Sequence, residues 1–343
     1  MRSFVNKQQG LALITVLFIF ALVSLLAISM QTRQKMSMAQ ASASINLTQA
    51  QLLALSVEDV AKAGLVFEET NSPDKWDTSA EQWNQLPPLE EAGATIEIHI
   101  RDLQGLFNLN SLSPKGANAE AARLRFKNLL DELGVINSSA IASQVKDWLD
   151  PKSSASTIYQ NMEPPYSASG VEFSHPSELL LIDGMDKDIY HQLEPLVTAL
   201  PPKTPLNINT TDPRIFTSWD TNLDIGAAKT IVNKTHPGSC GPSVRNANVI
   251  KDIENELWTE TDLTALIKAS GTSGATGTWE PADFSVNTQY FSLLIRVQIN
   301  GQDMMLESII KRDMTPETGF VGVVYRDFSR KPADIDRLKI NKC

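Results

Sequence analysis

The chain has 343 residues, of which 42% are hydrophobic and 20% charged, and its formal net charge is −10. This length leaves room for a membrane segment plus one large or two modest domains. Residues 1–31 carry +2, from Arg2 and Lys7, which leaves −12 for the remainder. Such an acidic body argues against binding that depends on Lys and Arg at phosphates, so we expect no nucleic-acid partner.

The N-terminal region contains one long apolar stretch, from Leu11 to Met30, without a charged residue. At about 1.5 Å rise per residue it forms roughly 30 Å of helix, which is enough to cross the hydrocarbon core of a bilayer. A permanent anchor, a cleaved secretory signal and a processed leader all begin in this way. The secretory signal is the weakest of the three, because the small-residue site Ala41-Ser42-Ala43 lies beyond Arg33 and Lys35.

A short basic leader ends in Gly10, and the apolar helix begins at once with Leu11. This arrangement resembles the class III leader of type IV pilins and pseudopilins. In that family a prepilin peptidase cuts after the Gly and methylates the new N-terminus, so the resemblance implies cleavage between Gly10 and Leu11. Most members carry Glu at the fifth position after the cut, where this chain has Thr15. Minor pseudopilins of the K type lack that Glu and are placed at the filament tip.

The region after the membrane segment remains compatible with a helix, because Gln40 to Ala63 contains neither Pro nor Gly. We therefore predict one helix over residues 11–63, ended by Gly64. The predicted division is a leader at 1–10, a transmembrane part at 11–31 and a periplasmic part at 32–64.

Strand patterns lie near the middle and at the end of the chain. Ala94–Arg101 alternates apolar and polar residues, which is typical of a half-buried strand. Tyr290–Ile299 and Gln302–Arg312 flank Asn300-Gly301, the strongest short signal for a β-hairpin. Phe320–Tyr325 predicts a further strand. We expect these strands to form an antiparallel sheet that packs on the C-terminal half of the long helix, as in a pilin head.

The residues between the first strand and the hairpin show helical periodicity. Apolar stripes and short runs predict helices at 119–133, 140–149, 177–182 and around 189–197. The expected fold is α+β, with a pseudopilin head at 65–110 and 285–328. A large α-helical domain, 111–284, is inserted between the strands, and 329–343 form a C-terminal tail.

Two Asn-x-Asn segments echo each other, at Asn108 with Asn110 and at Asn207 with Asn209. Each precedes a helical run, so we predict that these side chains cap backbone groups rather than bind a ligand. Residues 222–231 resemble a helix-hairpin-helix motif, which gives the insert a SAM or helix-hairpin-helix character. Asp224 replaces the first Gly of that motif, and the negative charge favours a structural role.

Several landmarks occur in the order that K-type minor pseudopilins of type II secretion show. They are Asp102-x-x-Gly105-x-x-Asn108-x-Asn110, Asp147-Trp148-Leu149-Asp150-Pro151, Pro164-Pro165-Tyr166, the run Ser177 to Gly184, and Pro205 to Thr210. The resemblance implies a single-pass inner-membrane protein with its body in the periplasm. It also implies that the chain starts the pseudopilus tip with I-type and J-type minor pseudopilins and meets the major pseudopilin. The alternatives are a minor pilin of a type IV pilus and a single-pass periplasmic sensor.

Catalytic motifs are missing from the sequence. The four His residues lack metal-site spacing, and no Gly-x-Ser-x-Gly elbow or phosphate loop occurs. We therefore expect no enzyme activity and no required cofactor.

Two further questions concern a metal ion and a disulfide. The resembled family binds Ca²⁺ through acidic loops, which points to Asp147 and Asp150, but Lys152 occupies a position where a further Asp is common. A solvated acidic surface is therefore the favoured interpretation. Cys240 and Cys343 could pair in a periplasmic body, or both could remain thiols.

Overall fold

The computed structural model describes residues 9–71, 77–78, 81, 83, 86–154, 156–219, 225–226, 228, 281–313 and 320–329. Its helices are α1 Gln9–Asn71, α2 Ala119–Glu132, α3 Ser138–Leu149, α4 Ser156–Tyr159, α5 Lys187–Leu193 and α6 Pro213–Trp219. Its strands are β1 Leu89–Glu91, β2 Ala94–Asp102, β3 Phe107–Asn108, β4 Val197–Thr198, β5 Leu206–Asn207, β6 Phe284–Ser285, β7 Tyr290–Ile299, β8 Gln302–Asp313 and β9 Phe320–Asp327. Short 3-10 turns lie at Leu109–Leu112, Pro176–Leu181, Glu194–Leu196 and Pro281–Asp283.

Helix α1 is longer than the sequence predicts. It begins at Gln9 and continues through Gly64 to Asn71, so the predicted end at Gly64 is wrong. A helical Gly costs about 1 kcal/mol relative to Ala. The last two turns offset this cost through tertiary contacts, because Leu65 is buried and Glu68 pairs with Arg312.

Five strands form an antiparallel sheet in the order β1-β2-β7-β8-β9. Strands β2, β7 and β8 match the predicted boundaries to within one residue, and β9 extends two residues beyond its prediction. The β7–β8 turn is made by Asn300 at φ 49° and Gly301 at φ 78°. This positive-φ pair is what a two-residue hairpin requires.

One face of the sheet packs on the C-terminal half of α1. The helix contributes mostly small side chains to this core, which lets the helix approach the strands closely: Ala50, Ala54, Val57, Ala61 and Leu65. The strands contribute β-branched and other large side chains: Ile96, Ile98, Ile100, Phe291, Leu293, Ile295 and Val297. This core fixes the sheet against the helix through apolar burial.

Contacts along β8 show which end of the sheet faces the membrane segment. The hairpin residue Asn300 donates to Asn46, 3.2 Å away, and further along the strand Arg312 donates to Glu68 at 2.8 Å. Strand β8 therefore runs in the same direction as α1, and the hairpin turn lies toward the apolar half of the helix. The end of β2 and the start of β7 lie at the opposite, distal end.

The helical insert leaves and rejoins the sheet at this distal end. The backbone N–H of Leu103, just after β2, donates to the carbonyl of Tyr290 at the start of β7, with 3.0 Å between N and O. Helices α2 and α3 confirm the predicted helical runs, whereas the predicted helix at 177–182 is a 3-10 turn and α6 was not predicted. The insert has its own apolar core, which includes Phe107, Phe126, Leu129, Val145 and Phe216.

Candidate functional site

The apolar half of α1 is exposed along its length. Large side chains from Leu13 to Met30 have exposed fractions between 45% at Leu22 and 71% at Phe20. Among the described residues, α1 is the one helix long and apolar enough to span a membrane. A surface of this kind needs lipid or protein around it.

The predicted processing site lies at the start of this helix. Gln9 and Gly10 are already helical, and Leu11 follows in the same helix. The hydroxyl of Thr15 donates to the carbonyl of Ala12 at 2.9 Å. The position that usually holds a carboxylate therefore holds a neutral group that bonds within its own helix.

Asp102 is the centre of a polar network at the distal junction. Its carboxylate accepts hydrogen bonds from the backbone N–H of Gln104 at 2.7 Å and the amide of Asn207 at 2.9 Å. The hydroxyls of Thr210 and Thr288 donate to it at 2.5 and 2.6 Å. Burial raises the pKa of Asp102, and these donors oppose that rise. One side chain thus joins the end of β2 to Asn207 and Thr210 of the insert and to Thr288 just after it.

Arg312 forms a second buried centre, beside the end of α1. It donates to both carboxylate oxygens of Asp77, at 2.5 and 2.6 Å, and it pairs with Glu68 at 2.8 Å and Glu69 at 3.3 Å. The three acids offer oxygen atoms within 4.8 Å of one another, as a metal site would. The guanidinium already supplies the positive charge there, so the arrangement is an ion-pair network.

Burial shifts the pKa values of two acids in this region. It raises the pKa of Asp77 to about 7, against the opposing effect of Arg312. It raises the pKa of Glu81 to about 9, and the negative charges of Asp77 and Glu68 add to this rise. Glu81 accepts a hydrogen bond from the indole of Trp83 at 2.5 Å. The shift favours the protonated form of the Glu81 carboxyl at neutral pH.

The paired asparagines are structural, as predicted. Asn108 accepts hydrogen bonds from the backbone N–H groups of Asn110 and Leu200, both at 3.1 Å. Asn110 donates to the carbonyls of Phe173 and Leu200, both at 3.0 Å. Asn207 accepts from the N–H of Asn209 at 2.9 Å. These side chains satisfy buried backbone groups that secondary structure leaves unpaired.

Gly105 marks the closest backbone approach at the junction. A Cβ atom at this position would lie 2.5 Å from Thr210 Oγ1 and 2.7 Å from its carbonyl oxygen. The Gly of the Asp-x-x-Gly motif is therefore required by contact with the second Asn-x-Asn segment, a partner that the sequence did not reveal.

The predicted calcium residues do not form a complete ligand set. Asp147 is exposed, and Asp150 Oδ1 accepts the backbone N–H of Lys152 at 2.9 Å. Within the described ranges neither belongs to a group of three metal-binding side chains. Calcium prefers six to eight oxygens, and these two carboxylates supply only part of such a set. Cys240 and Cys343 lie outside the described residues, as does most of the stretch 222–231.

Comparisons with known proteins identify the family. A family model described as type II secretion system, protein K, matches residues 105–202. A type II secretion system protein K from Pseudomonas aeruginosa is 27% identical over 94% of this chain and 93% of the relative. A relative from Klebsiella pneumoniae with the same name is 29% identical over 61% of this chain and 68% of its own length.

The chain belongs to the protein K family of type II secretion systems. It is therefore a minor pseudopilin of type II secretion, as the sequence predicts, rather than a type IV minor pilin or an unrelated sensor. The fold agrees: a chain of the GspK-GspI-GspJ complex from enterotoxigenic Escherichia coli superposes with a TM-score of 0.63. That match covers 85% of this chain and 100% of the other, at 20% sequence identity.

Sequence reasoning missed the Arg312 and Asp102 centres. A signal for Arg312 existed, because an arginine at the end of an otherwise apolar strand face needs an acidic partner. Asp102 belongs to the Asp-x-x-Gly motif, but the hydrogen bonds that make it a centre come from residues more than 100 positions away.

Proposed function

We propose that this protein K relative caps the pseudopilus and initiates its assembly as a tip subunit. The observation that carries the proposal is the position of the insert. The insert leaves the sheet beside Leu103 and Tyr290, at the end away from the membrane half of α1. A pseudopilin stacked above this subunit would have to occupy the same space.

The membrane helix supports the first steps of the route. Prepilin peptidase cuts after Gly10 and methylates Leu11, and α1 then holds the subunit in the inner membrane with its head in the periplasm. Thr15 supports a terminal position, because it offers no carboxylate to the N-terminus of a neighbouring subunit.

The partners follow from this position. The solved neighbour is part of a GspK-GspI-GspJ complex. By analogy we propose that this chain joins I-type and J-type minor pseudopilins first and the major pseudopilin afterwards. The assembled tip would drive export of folded periplasmic proteins across the outer membrane.

We further propose that the chain is not an enzyme and needs no cofactor. The polar groups at the distal junction are engaged with one another. Asp102 is saturated by four donors and Arg312 by carboxylates, which is the pattern of a scaffold rather than of a reactive centre.

The proposal is tested on pseudopili sheared from cells and labelled with gold-conjugated antibody against the helical insert. We expect label at one end of each fibre. Label distributed along the shaft would refute the tip position. A variant with Thr15→Glu serves as a second arm: it restores the carboxylate but keeps the insert, so its label should still lie at one end of the fibre.

A further inference from the structure

Two basic residues are isolated on α1. Between Gln9 and Val57 the only charged side chains are those of Arg33 and Lys35, and both are exposed. The next charged residue along the helix is Glu58, which lies 23 positions after Lys35, roughly 35 Å along the axis.

Among the residues that the structure describes, the folded head offers these two residues no counter-charge. The hairpin contact between Asn300 and Asn46 lies eleven positions beyond Lys35, about 17 Å along the helix. Within the described ranges, no carboxylate forms an ion pair with Arg33 or Lys35. Both charges are therefore available to a counter-ion from outside the part of the chain that the structure describes.

Their depth matches one layer of a membrane. If the apolar run ends at Met30, Arg33 lies about 4.5 Å and Lys35 about 7.5 Å beyond the hydrocarbon core. The polar headgroup layer of a bilayer extends about 5–7.5 Å from that core. Both side chains therefore reach the level of the lipid phosphates.

The two side chains project from opposite sides of the helix. Residues two positions apart are separated by about 200° around the axis. A single neighbouring helix with an acidic residue could meet one of them, but not both. A lipid layer surrounds the helix and can meet both.

We propose that Arg33 and Lys35 bind the phosphates of anionic phospholipids and thereby set the depth of α1 in the bilayer. The pairing is charge-assisted and lies at the water interface, where each contact is modest. Such contacts keep α1 at a fixed depth in the membrane. Because each contact is weak, they still release the helix when it moves into the fibre. The proposal depends on the membrane helix alone, and the proposed function decides only which leaflet is involved.

The test uses the full chain, purified and reconstituted in nanodiscs that contain phosphatidylcholine and phosphatidylglycerol. Native mass spectrometry counts the lipids that stay bound after the disc is removed. We expect the wild-type chain to retain phosphatidylglycerol in preference to phosphatidylcholine. Each substitution, Arg33→Gln or Lys35→Gln, should lower that preference roughly fivefold.

Lys62→Gln is the matched control. It removes one positive charge from the same helix. However, Lys62 lies farther from the membrane half of α1, and it pairs with Asp59 at 2.7 Å. Its lipid preference should equal that of the wild-type chain. Equal retention of both lipids by the wild-type chain would overturn the proposal. An unchanged lipid preference in the double variant Arg33→Gln/Lys35→Gln would overturn it too. Displacement of phosphatidylglycerol by millimolar inorganic phosphate would also overturn it, because the site would then bind a free anion.

This experiment contains no other pseudopilin. A failed lipid preference therefore leaves the tip proposal untouched, and antibody label along the fibre shaft leaves the lipid proposal untouched.

Discussion

Arg326, near the end of β9, forms a two-pronged hydrogen bond with Glu58 of α1, at 2.6 and 3.0 Å. Glu58 is 1% exposed, and it also accepts the hydroxyl of Ser308 at 2.5 Å. The bond joins positions 268 residues apart. It ties the edge strand β9 to the C-terminal half of the spine helix, where α1 has few other contacts with β9.

We expect Arg326→Gln to lower the free energy of unfolding by about 2 kcal/mol, because it leaves a buried carboxylate with one hydroxyl donor. Arg296→Gln is the control, since its partner Asp303 is 27% exposed, against 1% for Glu58, and it should cost less than about 1 kcal/mol. Urea denaturation of the full chain in detergent measures both. Equal costs would mean that the Glu58 contact adds no more than a surface pair.

Two glycines should respond in opposite directions to the same change. Gly105→Ala places a Cβ against the backbone of Thr210 and should destabilise the chain by about 2 kcal/mol through overpacking. Gly64→Ala meets nothing within 4 Å and should stabilise it by about 0.5–1 kcal/mol, because Ala suits a helix interior. Thermal unfolding compares the two variants. If Gly64→Ala instead destabilises the chain, the result would support a helix that ends at Gly64, as the sequence predicts.

Stability should fall as the pH rises from about 4.5 to about 9, through Glu81. Burial raises the pKa of Glu81 from 4.5 to about 9, so in this window the folded chain keeps a proton that the unfolded chain has lost. The contribution is complete below pH 4.5 and disappears by pH 9, with a slope of up to about 1.4 kcal/mol per pH unit.

Glu81→Gln should flatten this slope, whereas Glu132→Gln, at an exposed position on α2, should leave it unchanged. Denaturation at pH 5, 7 and 9 gives the slopes, and identical slopes in all three proteins would assign the pH dependence to other groups, Asp77 among them.

Processing should require Gly10. We expect the wild-type chain extracted from membranes to start at methylated Leu11 in cells with prepilin peptidase, and Gly10→Val to start at Met1. Gln9→Ala, one position away, should be processed normally. Intact mass and N-terminal sequencing provide the measurement. A wild-type start near Ala43 would indicate a secretory signal, and a wild-type start at Met1 would indicate a plain anchor.

Chelation should not change the melting temperature. Asp147 and Asp150 form no group of three ligands in the described ranges, so we expect equal unfolding curves in EDTA and in calcium. A lower melting temperature in EDTA that disappears in Asp150→Asn would instead place a calcium ion at this loop. The pairing of Cys240 with Cys343 remains a prediction, which mass measurement under non-reducing conditions would decide.

The elements that the sequence predicted are those whose signals are local. The alternation in β2 and the Asn300-Gly301 turn are each carried by residues only a few positions apart, so the strands and the hairpin could be predicted before any contact was known. The asparagines were assigned a capping role for the same reason, since short polar side chains before a helix act on nearby backbone.

The elements that escaped prediction depend on distant partners. The parallel pairs β3–β4 and β5–β6 are two residues long, too short to leave a pattern. Likewise, the buried pair of Arg312 with Asp77 spans 235 positions. Gly64 does not end the helix as predicted, because contacts with β8 stabilise the turns of α1 that follow it.

The hydrogen bond from Leu103 to Tyr290 has an evolutionary consequence. Where two chain ends already touch, a compact unit can be spliced in or lost without shifting a strand, because the neighbours keep their register. The head can therefore carry an insert between β2 and β7 without a change in the register of these strands. An insert could be gained or lost there without disrupting the sheet, and Asp102 and Gly105 supply the contacts that fasten it to the head.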